Sequence, residues 1–86
     1  MAEVTAKTVQ ELAPNLAGSQ VRLVYIKGTT AATGDTLTVS DLTTVVGAYL
    51  SQANGTLPTS IGLATNVITI NNAGGALTYS GLAWGT

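Results

Sequence analysis

The sequence contains no cysteine and no histidine, and only seven of its residues are charged, three basic and four acidic. Without cysteine, neither a disulfide nor a thiolate-bound metal can reinforce the fold, and without histidine the commonest general base is missing. The redox compartment stays open, because a chain without cysteine suits either. A small chain without such reinforcement gains buried surface by association, so we expect the 86 residues to form a homo-oligomer.

Charge is also unevenly distributed along the chain. Charged residues make up 8% of the sequence, against about 25% in an average soluble domain, and residues 42–86 contain none. The three cations Lys7, Arg22 and Lys27 are too few and too scattered to neutralise the phosphates of a nucleic acid. We therefore expect a neutral surface that neighbouring protein covers, and no nucleic-acid partner.

Long apolar runs are missing as well. No run approaches the roughly 18 residues that a membrane helix needs. The chain opens Met-Ala-Glu without the basic, apolar and small-residue regions of a secretory leader. We predict no membrane segment and no signal peptide.

Short apolar segments rich in β-branched residues alternate with turn residues roughly every ten positions, which predicts an all-β fold. The expected strands cover residues 21–27, 36–40, 43–52, 59–63, 67–71 and 76–86. In the strand over 36–40, Leu37 and Val39 are expected to point inward. Asn54-Gly55 and residues 72–75 predict turns, and Gly47 predicts a β-bulge or a close backbone approach. Residues 21–86 should form one small antiparallel β-sandwich or barrel of six to seven short strands.

Residues 1–20 are expected to be an N-terminal arm or a first strand, followed by a turn-rich connector around Pro14-Asn15 and Gly18-Ser19. Thr8 and Glu11 have the spacing of a helix capping box. Pro14 would limit such a helix to about one turn, which favours the arm or strand.

Seven residues are candidates for contact with a neighbouring subunit. Val4 and Val9 lie in the arm, Val24 and Ile26 in a strand that is apolar on both faces, and Tyr49, Tyr79 and Trp84 are large aromatics on later strands. Trp84 has three interpretations: a core residue closing one end of the barrel, an interface anchor, or a platform for a sugar. The tyrosines are expected to serve in ordinary sheet packing.

No residue pattern predicts catalysis, a cofactor or a metal. Asp35 and Asp41 flank one strand, but two carboxylates without a dense ligand loop favour solvated or turn-capping roles. Gly74-Gly75 lacks the following lysine and the strand-to-helix context of a phosphate loop. Hydroxyl groups are abundant, yet no base can be assigned to any of them. We predict that the chain is not an enzyme.

The order of segments in the second half is similar to a known class. A threonine-rich strand over 36–42, the sequence Thr-Val-Val-Gly-Ala-Tyr-Leu over 44–50, a hairpin closing on 66–70, and a glycine-rich turn before the last strand resemble small virion proteins of tailed bacterial and archaeal viruses. The resemblance covers about residues 20–86. It implies a compact β-sandwich or barrel that serves as a head decoration or cement subunit, often trimeric, on a major capsid protein.

Three functions remain open from the sequence. The first is a virion structural subunit, assembled in the host cytoplasm, that forms a trimer or larger oligomer and buries neutral β surface. The second is an extracellular filament subunit whose segment 3–9 completes the sheet of a neighbour. The third is a small glycan-binding module that uses Trp84 and the tyrosines.

Overall fold

A computed structural model describes residues 3–4, 7–13, 20–72, 74 and 76–86. Seven strands form the fold, and the described residues contain no helix. The prediction of an all-β fold with six to seven short antiparallel strands is confirmed. The strands are β1 (Lys7–Ala13), β2 (Arg22–Thr29), β3 (Asp35–Thr38), β4 (Val45–Ser51), β5 (Ser60–Ala64), β6 (Val67–Asn71) and β7 (Thr78–Gly85).

The strands form two antiparallel sheets that pack face to face. The larger sheet has the order β1-β2-β7-β4, and the smaller has the order β3-β6-β5. Between them lies a core in which Leu37, Val39 and nine other residues are buried, so the predicted inward direction of these two is confirmed. The other core residues are Val24, Ile26, Leu42, Val45, Leu50, Ile68, Ile70, Tyr79 and Ala83.

Strand β4 carries the irregularity that Gly47 predicts. Val45 pairs with Gly85 and Gly47 pairs with Trp84, so Val46 is the extra residue of a β-bulge. The neighbouring strand β7 has glycines where the backbone of β4 comes closest. A Cβ atom on Gly81 would lie 1.8 Å from the carbonyl oxygen of Tyr49. Only a residue without a side chain allows this approach.

The turns follow local signals in the sequence. The backbone N–H of Gly55, at a φ of 86°, donates to the carbonyl of Gln52 at 2.8 Å. Strands β5 and β6 form the predicted hairpin, closed by Thr65 at a φ of 52° and by Asn66. At the second predicted turn, the N–H of Gly74 donates to Oδ1 of Asn72 at 2.7 Å.

Asp35 organises the loop before β3. It is 4% exposed, and its Oδ2 accepts hydrogen bonds from the backbone N–H groups of Ala31 at 2.7 Å and Ala32 at 3.0 Å. The turn-capping role expected for this carboxylate is thus the one that it has.

The N-terminal segment packs against its own chain. Strand β1 pairs with β2 at the edge of the larger sheet, so Thr8 and Glu11 lie in a strand and the helical alternative is wrong. Val4 is 3% exposed, its N–H donates to the carbonyl of Thr36 at 2.7 Å, and its side chain lies over Gly28. The domain therefore includes residues before position 21. The predicted connector at residues 14–19 lies outside the described residues.

A carboxylate fixes this segment to β3. Glu3 accepts hydrogen bonds from the hydroxyl of Thr36 at 3.1 Å and from the hydroxyl and N–H of Thr38 at 2.9 and 2.8 Å, and it pairs with Lys7 at 2.5 Å. Burial raises the pKa of Glu3, but the hydrogen bonds from Lys7, Thr38 and Thr36 outweigh it and lower the pKa to about 2. The segment is thus held by a charge as well as by Val4.

Candidate functional site

The seven interface candidates divide between the core and the surface. Packing within the chain accounts for four of them, Val4, Val24, Ile26 and Tyr79, each at most 3% exposed, and Val9 packs partly buried against the same core. The first four are therefore buried within their own subunit, and Val9 is partly buried there on the edge strand β1. Tyr49 and Trp84 remain, and both lie on the face of the larger sheet that points away from the core.

This outer face is set by the alternation of side chains along each strand. Where Val24 and Ile26 point inward on β2, the residues between and beside them point outward. The outer face consists of Thr8, Gln10 and Leu12 of β1, Leu23, Tyr25 and Lys27 of β2, Ser80, Leu82 and Trp84 of β7, and Gly47, Tyr49 and Ser51 of β4, with the bulged Val46 beside them.

The register arranges these residues in three rows across the strands. The polar row contains Thr8, Lys27, Ser80 and Ser51. The middle row contains Gln10, Tyr25, Leu82 and Tyr49. The apolar row contains Leu23, Trp84 and Gly47, and the exposed Leu12 lies at its border as the extra residue of a β-bulge in β1. Polarity thus decreases from one end of the face to the other.

Large apolar side chains at the border of this face are exposed to solvent. Leu12 is 51% exposed, Val46 is 62% exposed, and Tyr49 in the adjoining row is 55% exposed. Trp84 is partly buried, because its indole lies against Gly47 on the neighbouring strand. The interpretation of Trp84 as a core residue is wrong, since the side chain lies outside the two-sheet core.

The outer face is nearly free of charge. Lys27 is its one charged side chain among the described residues. The other cations pair at the edge of the sheet, Lys7 with Glu3 at 2.5 Å and Arg22 with Glu11 at 2.6 Å. The outer face is therefore largely apolar and carries few groups that could form ionic contacts.

A second feature is an apolar groove of about 180 Å³ where the edges of the two sheets meet. It lies between β4 and β5 and is lined by Ala48, Tyr49, Leu50, Leu57, Pro58, Ser60 and Ile61. The opposite opening of the sandwich, between β1 and β3, is covered by Glu3 and Val4. The groove adjoins the outer face at Tyr49, so the two form one continuous apolar surface.

Other kinds of site find less support. Among the described residues no three histidine, cysteine, aspartate or glutamate side chains come together as a metal site would need. Asp35 accepts hydrogen bonds from the backbone N–H groups of Ala31 and Ala32 in its own turn. In the same part of the chain, no helix has the length and apolar character to cross a membrane.

Sequence reasoning missed the aliphatic part of the outer face. Leu12, Val46 and Leu82 were not singled out, although the alternation of Leu82 with Trp84 in the last strand was a usable signal. Alternation shows that two residues share a face without showing which face is buried.

Comparisons with protein-family models, with curated proteins and with solved structures find no match to this chain.

Proposed function

We propose that the protein is a structural assembly subunit that buries the outer face of its larger sheet against other protein. In keeping with the resemblance in its sequence, the assembly is a virion. The chain acts there as a decoration or cement subunit, bound to copies of itself and to the major capsid protein. No chemistry is assigned to it.

The observation that carries this proposal is a second apolar face on a chain whose core is already complete. The inner face of the larger sheet is filled by residues such as Val24, Ile26 and Tyr79. The outer face nevertheless carries Tyr49, Trp84 and the leucines listed above, with a single lysine. A contiguous exposed apolar patch on a small domain marks a surface that binds protein.

The test is the mass and shape of the purified chain, measured by light scattering coupled to size exclusion and by negative-stain imaging. A discrete oligomer supports the proposal. The variants Tyr49→Lys and Leu82→Lys should return it to monomer while the fold persists, and Ala64→Lys on exposed β5 is the matched control. A monomeric wild-type chain that also fails to bind capsid shells would contradict the proposal.

A glycan-binding module is the second candidate, and one observation favours it. Tyr25, Tyr49 and Trp84 share the outer face with the hydroxyls of the polar row, an arrangement that suits stacking on a sugar ring. A glycan-array signal lost in Tyr49→Ala would support it. The leucines at the centre of the face favour a protein partner over a glycan, because leucine side chains neither stack on a sugar ring nor form hydrogen bonds with it.

The filament hypothesis receives less support. It needs segment 3–9 to leave its own chain, whereas Val4 and Glu3 are both engaged there. Long fibres in the negative-stain images would nevertheless raise it to first place.

A further inference from the structure

We infer that the partner of the outer face is a second copy of this chain, packed sheet to sheet about a two-fold axis that runs parallel to the strands. This inference rests on the proposed function, since it names the partner of the same face. The axis lies between β2 and β7, the two central strands of the larger sheet.

The area of the face is sufficient for such a pair. Four strands of about eight residues, spaced about 4.8 Å apart with a rise of about 3.3 Å per residue, cover about 500 Å². Two such faces together bury about 1,000 Å², which is the size at which specific protein–protein interfaces begin. The exposed Val46, Leu12 and Tyr49 at the border add to this area.

The order of the rows selects the axis. A two-fold axis parallel to the strands places each residue opposite the same row of the partner, with β2 over β7 and β1 over β4. Leu23 then faces Trp84 of the second copy, and Tyr25 faces Leu82. Apolar side chains cover apolar side chains, and the two polar rows meet at the solvent-accessible rim of the interface.

The alternative axis, along the rows, matches the face poorly. It reverses the strand direction and places the apolar row over the polar row. Trp84 would then cover Ser80 of the second copy, and Lys27 would be buried against Leu23. Removing a lysine from water without an anionic partner is costly, so the gradient of polarity disfavours this arrangement.

The glycine of the apolar row fits the same arrangement. With β1 over β4, the side chain of Leu12 lies opposite Gly47 and Val46 of the second copy. The indole of Trp84 covers the Gly47 position, so Leu12 meets an aromatic ring and the exposed Val46. Apolar side chains therefore cover apolar side chains at this border as well.

A two-fold contact closes on itself. A trimer or larger assembly, as expected from the resemblance, therefore requires a second surface in addition to the outer face. The groove between β4 and β5 adjoins the outer face and is free in the paired arrangement.

The experiment uses the absence of cysteine. A nitroxide label on Thr78→Cys lies at the first residue of β7, on the outward side and beyond the polar row. With the axis parallel to the strands, the two labels of a pair attach to backbones about 10 to 15 Å apart, and with the axis along the rows about 30 Å apart. Dipolar coupling in electron paramagnetic resonance measures this separation. A label on Thr59→Cys, one residue before β5 of the smaller sheet, is the control. This sheet lies on the far side of the core from the paired face, so its two labels should show no short distance.

The outcomes separate the inference from the proposed function. A dimer with a short Thr78 distance and a long Thr59 distance supports the inference. An oligomer that Tyr49→Lys dissociates, but with a long Thr78 distance, overturns the inference and leaves the proposed function standing. A wild-type monomer overturns the inference, and its failure to bind capsid shells overturns the proposed function too.

Discussion

The indole of Trp84 occupies the space that a side chain on Gly47 would fill. A Cβ atom at residue 47 would lie 2.5 Å from Cε2 and Cζ2 of the ring and 2.6 Å from Nε1. The two residues are cross-strand partners of β4 and β7, beside the bulge at Val46. The glycine therefore fixes the ring flat against the sheet, and the ring shields a strand position that has no side chain of its own.

Gly47→Ala should displace the indole and lower the free energy of unfolding by about 1 to 3 kcal/mol, because the methyl group and the ring cannot share the same space. Trp84 is the single tryptophan, so its fluorescence should shift to the red as the ring becomes more exposed. Gly62→Ala is the matched control, since its Cβ would meet only Thr69 at 3.7 Å. Unchanged emission in Gly47→Ala would contradict the assigned position of the ring.

Gly81→Ala should be more damaging than Gly47→Ala. Its Cβ would collide with the carbonyl oxygen of Tyr49 at 1.8 Å, and a backbone atom cannot move aside as a ring can. We expect a loss of at least about 3 kcal/mol, or failure to fold, because β4 must separate from β7. Thermal melting followed by circular dichroism measures it. A loss no larger than that of Gly62→Ala would show that β4 does not approach β7 so closely.

Ile68→Asp tests the register of the β5–β6 hairpin. Ile68 is fully buried between the sheets, so an unpaired carboxylate there should cost about 4 kcal/mol or more in unfolding free energy. Asn66→Asp introduces the same group in the turn of the same hairpin and should melt close to the wild type. If urea unfolding gave equal midpoints for the two variants, residue 68 would face water and the register would be wrong.

Stability should fall with acidification in a window set by Glu3. Its pKa is lowered from 4.5 to about 2 in the folded chain, so the carboxylate stabilises the fold above pH 4.5, and this contribution is lost as the pH falls toward 2. The side chain is 39% exposed, which limits the effect to less than about 1 kcal/mol. Melting temperatures of the wild type and Glu3→Gln, compared between pH 2 and 7, should converge at the acid end. A constant difference between them would contradict the assigned hydrogen bonds.

Much of the local structure was predictable from particular residues. Gly47 predicted a bulge or a close backbone approach, Asn54-Gly55 predicted its turn, and the alternation around Leu37 and Val39 predicted their burial. Each of these depends on the backbone preference of a residue or on the period of a single strand. Such preferences depend on a few neighbouring residues, so they do not depend on which strands pair in the folded chain.

The placement of Tyr79, Trp84 and the N-terminal segment was not predictable in this way. Strands β2 and β7 are apolar on both faces, so alternation alone does not show which face joins the core. The last strand is placed between β2 and β4, far from both in sequence, and the close approach of β4 at Gly81 and Gly85 leaves room inside only for small residues beside Tyr79.

The sequence by itself thus determined the fold class, the turns, the irregularity at Gly47 and the lack of charge over residues 42–86. Only the tertiary structure decided that Trp84 and Tyr49 lie outside and Tyr79 and Val4 inside. The physical reason is that pairing between distant strands, and not the pattern along any one of them, decides which apolar face of the larger sheet packs in the core and which lies at the surface.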